Sequence, residues 1–388
     1  MKLIPEWRVY IFGAVLGVAL AICARNFGDR GGPFFLASLA LGGVAYLLAV
    51  HELFQTPSFP RRVIVFGLLL AAVWHVQFLR QPPGADDDIH RYVWDGRLQR
   101  LGYNPYLVVP SDPAVKVLHT SETRRLNNPD LPSPYPPGAQ LFFRAVTSIH
   151  ESVLTFRVIF VLCDLAITLV LLDLLRSSGR GAHLVLAFGL AVAVKFLPIV
   201  LLPLYWKRVR VRDAALTAAL VALLYLPFLH HARIPTGSLG AYVQGFRFNG
   251  PVFAVLDHVA PPALLAAMAV LVGFMTAAFL RRTSSKSPSA FAWPMAASLL
   301  CAPVVFPWYL LWLLPFLTSG STLLMIVWTV SVIPTYIQWH LRALGHGWGT
   351  LPGWVMPLEY GCLAIVAAII ALQRRVARSN LGLTERAS

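Results

Sequence analysis

The chain has 388 residues and a formal net charge of +15, and 57% of its residues are hydrophobic against 13% charged. Ordinary soluble domains carry about 25% charged residues, so this composition excludes the water-soluble globular class. Apolar runs of about 20 residues, each long enough to cross a bilayer, recur along nearly the whole sequence, which makes this a polytopic, all-α membrane protein. Its positive charge therefore speaks first of topology, not of nucleic acid.

In chain order the runs lie near residues 8–25, 34–52, 63–79, 153–175, 182–205, 214–230, 261–280, 289–304, 308–319, 321–340 and 355–373. The first follows a basic leader without a small-residue cleavage site, so it reads as a retained span and not a signal peptide. With the N-terminus in the cytoplasm, the short inner loops collect Arg61, Arg62, Arg176, Arg180, Lys207, Arg208, Arg210, Arg212, Arg281 and Arg282. The short outer loops hold few cations, as the positive-inside rule asks. The run 182–205 is basic at both ends and is broken by Lys195, Pro198 and Pro203. Proline removes a helical donor, and this run is predicted to dip in and return as a re-entrant hairpin whose turn is buried in protein. The expectation is a bundle of about ten full spans plus the hairpin. It forms a single membrane domain over 1–388 with both termini cytoplasmic, and its two long extracytoplasmic segments are 80–152 and 231–260. Cys23, Cys163, Cys301 and Cys362 sit in or beside apolar runs without ligand-like spacing, and are expected to be core hydrophobes.

Eight of the 17 acidic residues fall in the first long segment: Asp86, Asp87, Asp88, Asp95, Asp112, Glu122, Asp130 and Glu151. Within GADDDIHRYVWDGRLQRLGYNPY, the apolar residues Ile89, Val93, Trp94, Leu98 and Leu101 recur at helical spacing, with Asp88, Arg91 and Asp95 on a more polar face. This predicts an amphipathic helix at the membrane surface. Its first turn holds the acidic triplet near the positive end of the dipole, and Gly102 with Asn104-Pro105 ends it. Adjacent carboxylates repel one another, which raises at least one of their pKa values and makes a better proton acceptor near neutrality. Tyr92, Tyr106, Tyr135, Trp308 and Tyr309 belong to an aromatic set that suits an interfacial belt and equally suits stacking on sugars.

The run DDDIHRYVWDGRLQRLGYNPY, followed by YPPGAQLFF (Tyr135 to Phe143), VKFLPIVLLP (Val194 to Pro203), FRFNGPVFAVL (Phe246 to Leu256) and PVVFPWYLLWLLPF (Pro303 to Phe316), resembles the bacterial polyprenol-phosphate-mannose-dependent mannosyltransferases of the GT-C superfamily. The blocks occur in order over about residues 80 to 320. The resemblance implies transfer of a hexose, mannose above all, from a polyprenyl monophosphate carrier to an acceptor hydroxyl of a glycan or glycolipid. It further implies an inverting reaction on the extracytoplasmic face of a bacterial plasma membrane, without cofactor or metal. The catalytic carboxylate of the superfamily lies four residues before an aromatic, a spacing met by Asp88 and Tyr92, with Asp87 second. The family often has a histidine ahead of its PWY block where this chain has Phe306, and two further membrane segments after the position of Arg180.

Such chemistry needs a general base within hydrogen-bond reach of the acceptor oxygen, and Asp88 is the candidate. It also needs cations where a phosphate diester becomes a monoester; Arg91, Arg97, Arg247 and Arg342 are the candidates. Asp95, Asn104, Asn249 and the aromatics above complete the expected substrate site. Lys195, Asp164 and Glu359 lie within apolar runs, where ionisable groups are costly and point to function; Lys195 and Glu359 are placed with the substrate site, and an Asp164–Lys195 pair would explain two of them structurally. The same three groups are what a lipid or solute transporter would use, which is the competing class; a scaffold subunit of an envelope complex is a third. His90 with Asp86 and Asp88 has the chemistry of a metal site, but the resemblance points away from one. No Gly-rich nucleotide turn or P-loop occurs.

Overall fold

The computed structural model describes residues 7–55, 61–79, 81, 88–176, 197–207, 209–231, 235–283, 287–317 and 320–387. Its helices in chain order are α1 (Trp7–Arg25), α2 (Pro33–Gln55), α3 (Arg61–Leu79), α4 (Asp88–Arg100), α5 (Pro137–Ile149), α6 (Val153–Arg176) and α7 (Val211–Tyr225). They continue with α8 (Leu239–Gly245), α9 (Pro251–Leu256), α10 (Pro262–Thr283), α11 (Ser289–Leu300), α12 (Leu323–Ser331), α13 (Ile337–Ala343) and α14 (Val355–Ala387). Four of them, α2, α5, α9 and α10, open on a proline, which fits the first helical position because its missing N–H has no partner there anyway. The only bridge pairs among the described residues join Phe248 and Asn249 to Val304.

Among the described residues, seven helices or helix runs are long and apolar enough to cross a membrane: Trp7–Arg25, Pro33–Gln55, Arg61–Leu79, Val211–Phe228, Pro262–Thr283, Gly320–Ala343 and Val355–Val376. The pair α5 and α6 passes the same test jointly, bent by 118° at the break between them. Outward apolar side chains such as Leu69, Leu162, Met275 and Phe279 stay exposed, as lipid-facing groups do where bilayer replaces water. Two predicted runs fall short of a span. Residues 289–304 give only the 12-residue α11, and 308–319 give the tight turns Pro307–Trp312 and Leu314–Phe316. Pro307 and Pro315 each withhold a backbone donor there, and tight turns use the remainder. Of the predicted hairpin, only Leu197–Leu201 and the turn Leu202–Tyr205 fall within the described residues.

Contacts divide the chain into two units. The first comprises Met1–Trp74, Arg247–Val259 and Lys286–Ser388. Here small residues permit close helix packing: a side chain on Gly42 would meet Leu16 at 3.2 Å, and one on Gly43 would meet Val330 at 2.6 Å. An apolar pocket of about 720 Å³ opens among α9, α11, α12 and α14, with Trp293, Met325, Trp328 and Tyr360 in its wall. The second unit comprises His75–Phe246 and Ala260–Ser285, and α4 packs on α5 inside it.

Candidate active site

Helix α4 forms where its periodicity predicts and stops as predicted. Gly102 takes φ +84°, Tyr103 N–H donates to Leu98 O at 2.9 Å and Gly102 N–H to Gln99 O at 3.2 Å, the left-handed ending that glycine allows without steric cost. His90, Arg91, Val93, Trp94, Asp95, Gly96, Leu98 and Gln99 are all buried in protein, so the polar face of the helix is covered as well as the apolar one. The segment that follows in the chain folds back over the helix and supplies partners for all of its faces.

One face meets α5. Val93 joins Ala139, Phe143, Val146, Val153 and Phe156 in a core cluster, and Tyr92 stacks on Phe143 at 4.5 Å and meets Tyr135 edge-on at 5.2 Å. A second face carries Trp94 and Leu98 against Val115 and Leu126, with Trp94 stacked on His119 at 4.0 Å. The third face is polar and internally bonded. Arg91, 2% exposed, donates from Nε to Asp95 Oδ1 at 3.1 Å, from Nη1 to Asn128 O at 3.3 Å and from Nη2 to Leu131 O at 2.6 Å. Asp95 is fully buried and also accepts from Ser133 Oγ at 2.5 Å and Gln140 Nε2 at 2.9 Å. Burial holds the Asp95 carboxyl above the ordinary carboxylate range, with Arg91, Ser133 and Gln140 pulling the other way.

Asp88 opens α4 at the edge of this network, and its Oδ1 accepts from Asn127 Nδ2 at 2.5 Å. Asn128 Nδ2 donates to the hydroxyl of Tyr242, on α8, at 3.3 Å. Burial and then the Asp88 charge raise the Tyr135 hydroxyl well above the ordinary tyrosine range, and the same two causes push Tyr242 up to about 12. Asp88 thus lies among aromatic hydroxyls that stay protonated and an amide that cannot ionise. Asp86, Asp87 and Lys195 lie outside the described residues.

Other predicted site residues in this unit have structural partners. Arg97 donates to Leu118 O at 2.9 Å and pairs with Glu151 at 2.5 Å, which also holds Arg100 at 2.6 Å. Asn104 donates to Phe228 O at 3.0 Å and accepts from Tyr106 N–H at 3.0 Å. Tyr106 donates to Tyr135 O at 2.5 Å, and burial raises its hydroxyl above the usual range. Asp164 pairs with His75 Nε2 at 3.1 Å.

The first unit gathers the remaining candidates. Arg247 binds Asp257 through Nε at 2.7 Å and Nη2 at 3.0 Å, which lowers the Asp257 carboxyl. Asn249, in the left-handed region at φ +55°, donates to Glu359 Oε2 at 2.8 Å, while Trp328 Nε1 donates to Oε1 at 2.6 Å. Trp308 and Tyr309 meet Phe306 in an aromatic group that extends to Trp339 and Trp348, with Arg342 over the Trp348 ring at 5.2 Å.

The sequence alone does not single out Asn127, Asn128, Ser133 and Gln140. The NNPD turn (Asn127 to Asp130) was the available signal, since asparagine tolerates the left-handed backbone and Asn128 adopts φ +44°. His90 is buried with neither ring nitrogen hydrogen-bonded. Two residues apart on a helix do not face each other, so His90 and Asp88 do not converge on a cation. Among the described residues no group of three His, Cys, Asp or Glu side chains has the arrangement of a metal site.

No curated protein and no solved structure matches the chain. Residues 19–205 match the model of a family described as alpha-(1->6)-mannopyranosyltransferase, N-terminal domain. That stretch contains α4, the network beneath it and Asp88, and over it the chain is similar to this family of mannosyltransferases.

Proposed function

We propose that the protein transfers mannose from a polyprenyl-phosphate carrier to an acceptor hydroxyl on the extracytoplasmic face of a bacterial plasma membrane, with inversion at the anomeric carbon and with Asp88 as general base. The observation that carries this reading is the setting of Asp88: first residue of α4, half-buried, with one carboxylate oxygen bonded to Asn127. A sugar hydroxyl is too weak an acid to attack unaided, and a positioned carboxylate takes its proton as the new bond forms. In-line attack from the face opposite the phosphate inverts the centre in one step. The phosphate leaves with growing negative charge, which cations must stabilise. Arg91 and Arg97 are spent on Asp95, Glu151 and backbone carbonyls, so their part is to hold the base's helix. The apolar pocket of the first unit suits a hydrocarbon chain and supports the lipid side of the reading. Transport, the competing class, would use Asp164, paired with His75, and Glu359, bonded by Asn249 and Trp328.

The test is incubation of purified protein in vesicles with radiolabelled polyprenyl-phospho-mannose and a glycolipid acceptor. The wild type is expected to form labelled product; Asp88→Asn should fall to background while still binding donor. Full activity in that variant removes Asp88 from the chemistry, and ion-coupled flux without a new glycosidic bond would favour the transporter.

A further inference from the structure

Resting on the reading of Asp88 as base, we propose that Asn127 is its positioning residue: its side-chain amide fixes the plane of the Asp88 carboxylate and keeps it ionised for the acceptor's proton. The contact runs from Asn127 Nδ2 to Asp88 Oδ1 at 2.5 Å. A hydrogen bond to the charged form of an acid favours that form. An amide suits the task in a way no ionisable donor does. It has no proton to surrender near neutrality, so it never competes with the acceptor hydroxyl, and it carries no positive charge that would blunt the carboxylate as a base.

Asn127 is itself held from several sides. Arg91 bonds the carbonyls of Asn128 and Leu131, gripping the chain on the C-terminal side of Asn127. The Asn128 side chain reaches Tyr242 on α8, and Leu126 just before it is packed with Trp94 and Leu98. Arg91 in turn is fixed by Asp95, and Asp95 by Ser133 and Gln140. The chain from buried guanidinium to loop to base makes the rotamer of Asn127 a product of the whole network.

Among the described residues, the charged and titratable groups around Asp88 include Arg91, Tyr92 and Asp95 on α4, Tyr135 ahead of α5 and Tyr242 on α8; His90 lies on the far face of the helix, and Asp86 and Asp87, which precede Asp88 in the chain, lie outside the described residues. The tyrosines stay neutral through the working range, and the partners of Asp95 are untouched by a change at Asn127. A shift in the acid limb of the rate profile on mutating Asn127 is therefore assigned to Asp88, the carboxylate that Asn127 touches.

The experiment compares wild type, Asn127→Ala, Asn127→Asp and Asp88→Asn in the mannosyl-transfer assay, with kcat, KM for donor and the pH profile of kcat/KM. Asn127→Ala is expected to lower kcat by about 10- to 100-fold, as a misaligned base does, with donor KM unchanged and the acid limb moved up by about one pH unit. Asn127→Asp keeps the shape of the side chain but turns the donor into a like charge, and the limb should move further up. A purely structural Asn127 predicts the opposite: the isosteric Asn127→Asp would keep both the wild-type profile and the wild-type rate. An unmoved acid limb in both variants, with or without loss of activity, overturns the proposal. Should Asp88→Asn stay fully active, it is the assignment of the base that fails, whatever Asn127 does.

Discussion

A guanidinium at 2% exposure is tolerable only because every side of it is engaged. Arg91 spends its donors on Asp95, Asn128 O and Leu131 O, and removing it would strand the fully buried Asp95 carboxylate. Breaking a buried ion pair from one side typically costs about 3–5 kcal/mol. Arg91→Met is therefore expected to destabilise the detergent-solubilised protein by an amount in that range. The double variant Arg91→Met/Asp95→Asn should recover part of the loss, because the amide no longer demands a cation. Thermal unfolding of the four members of the cycle measures the coupling. An Arg91 serving only to touch substrate phosphate would instead leave the unfolding temperature unchanged and show its loss in donor KM. From sequence, Arg91 was one of several arginines near an acidic triplet. Its partners are two backbone carbonyls and a side chain, and backbone carbonyls leave no mark in a sequence.

At the scale of elements, the packing of α4 on α5 turns on Gly96. A Cβ there would lie 2.4 Å from Phe143 O and 2.6 Å from both Oγ1 and Cγ2 of Thr147. The carbonyl is backbone and cannot swing aside, so the two helices would have to separate. Alanine is the better helix former by roughly 1 kcal/mol, yet overpacking typically costs about 1–3 kcal/mol. Gly96→Ala is thus expected to lower thermal stability, with Gly96→Val worse; an unchanged or raised unfolding temperature would show that α4 and α5 can part freely. The extent of α4 was legible, because apolar spacing and the stop at Gly102 are local signals. The burial of its polar face was not. Asn127, Asn128, Leu131, Ser133 and Gln140 lie far along the chain from Asp88, Arg91 and Asp95, on a loop and a helix start with no periodicity to betray them. The conformation of Asn128 was open to inference from NNPD, but its two partners were not.

For the whole molecule, the spans were the most readable feature, since a bilayer imposes length and apolarity on any helix that crosses it. Where prolines crowd an apolar stretch, as at Pro303, Pro307 and Pro315, hydropathy alone read spans that the backbone could not build. The division of the candidate residues between two units depends on chain topology and has no local signature. The bend of 118° between α5 and α6 carries a mechanical consequence. The helix that begins at Asp88 rests on α5, so whatever tilts α6 acts on the ledge beneath it. Spans answer a mismatch in bilayer thickness by tilting. Turnover in vesicles of graded acyl length is expected to peak at one thickness and decline on both sides, with the unfolding temperature nearly constant; a flat response would mean that this corner yields before it transmits. A peaked response would make membrane thickness a throttle on turnover.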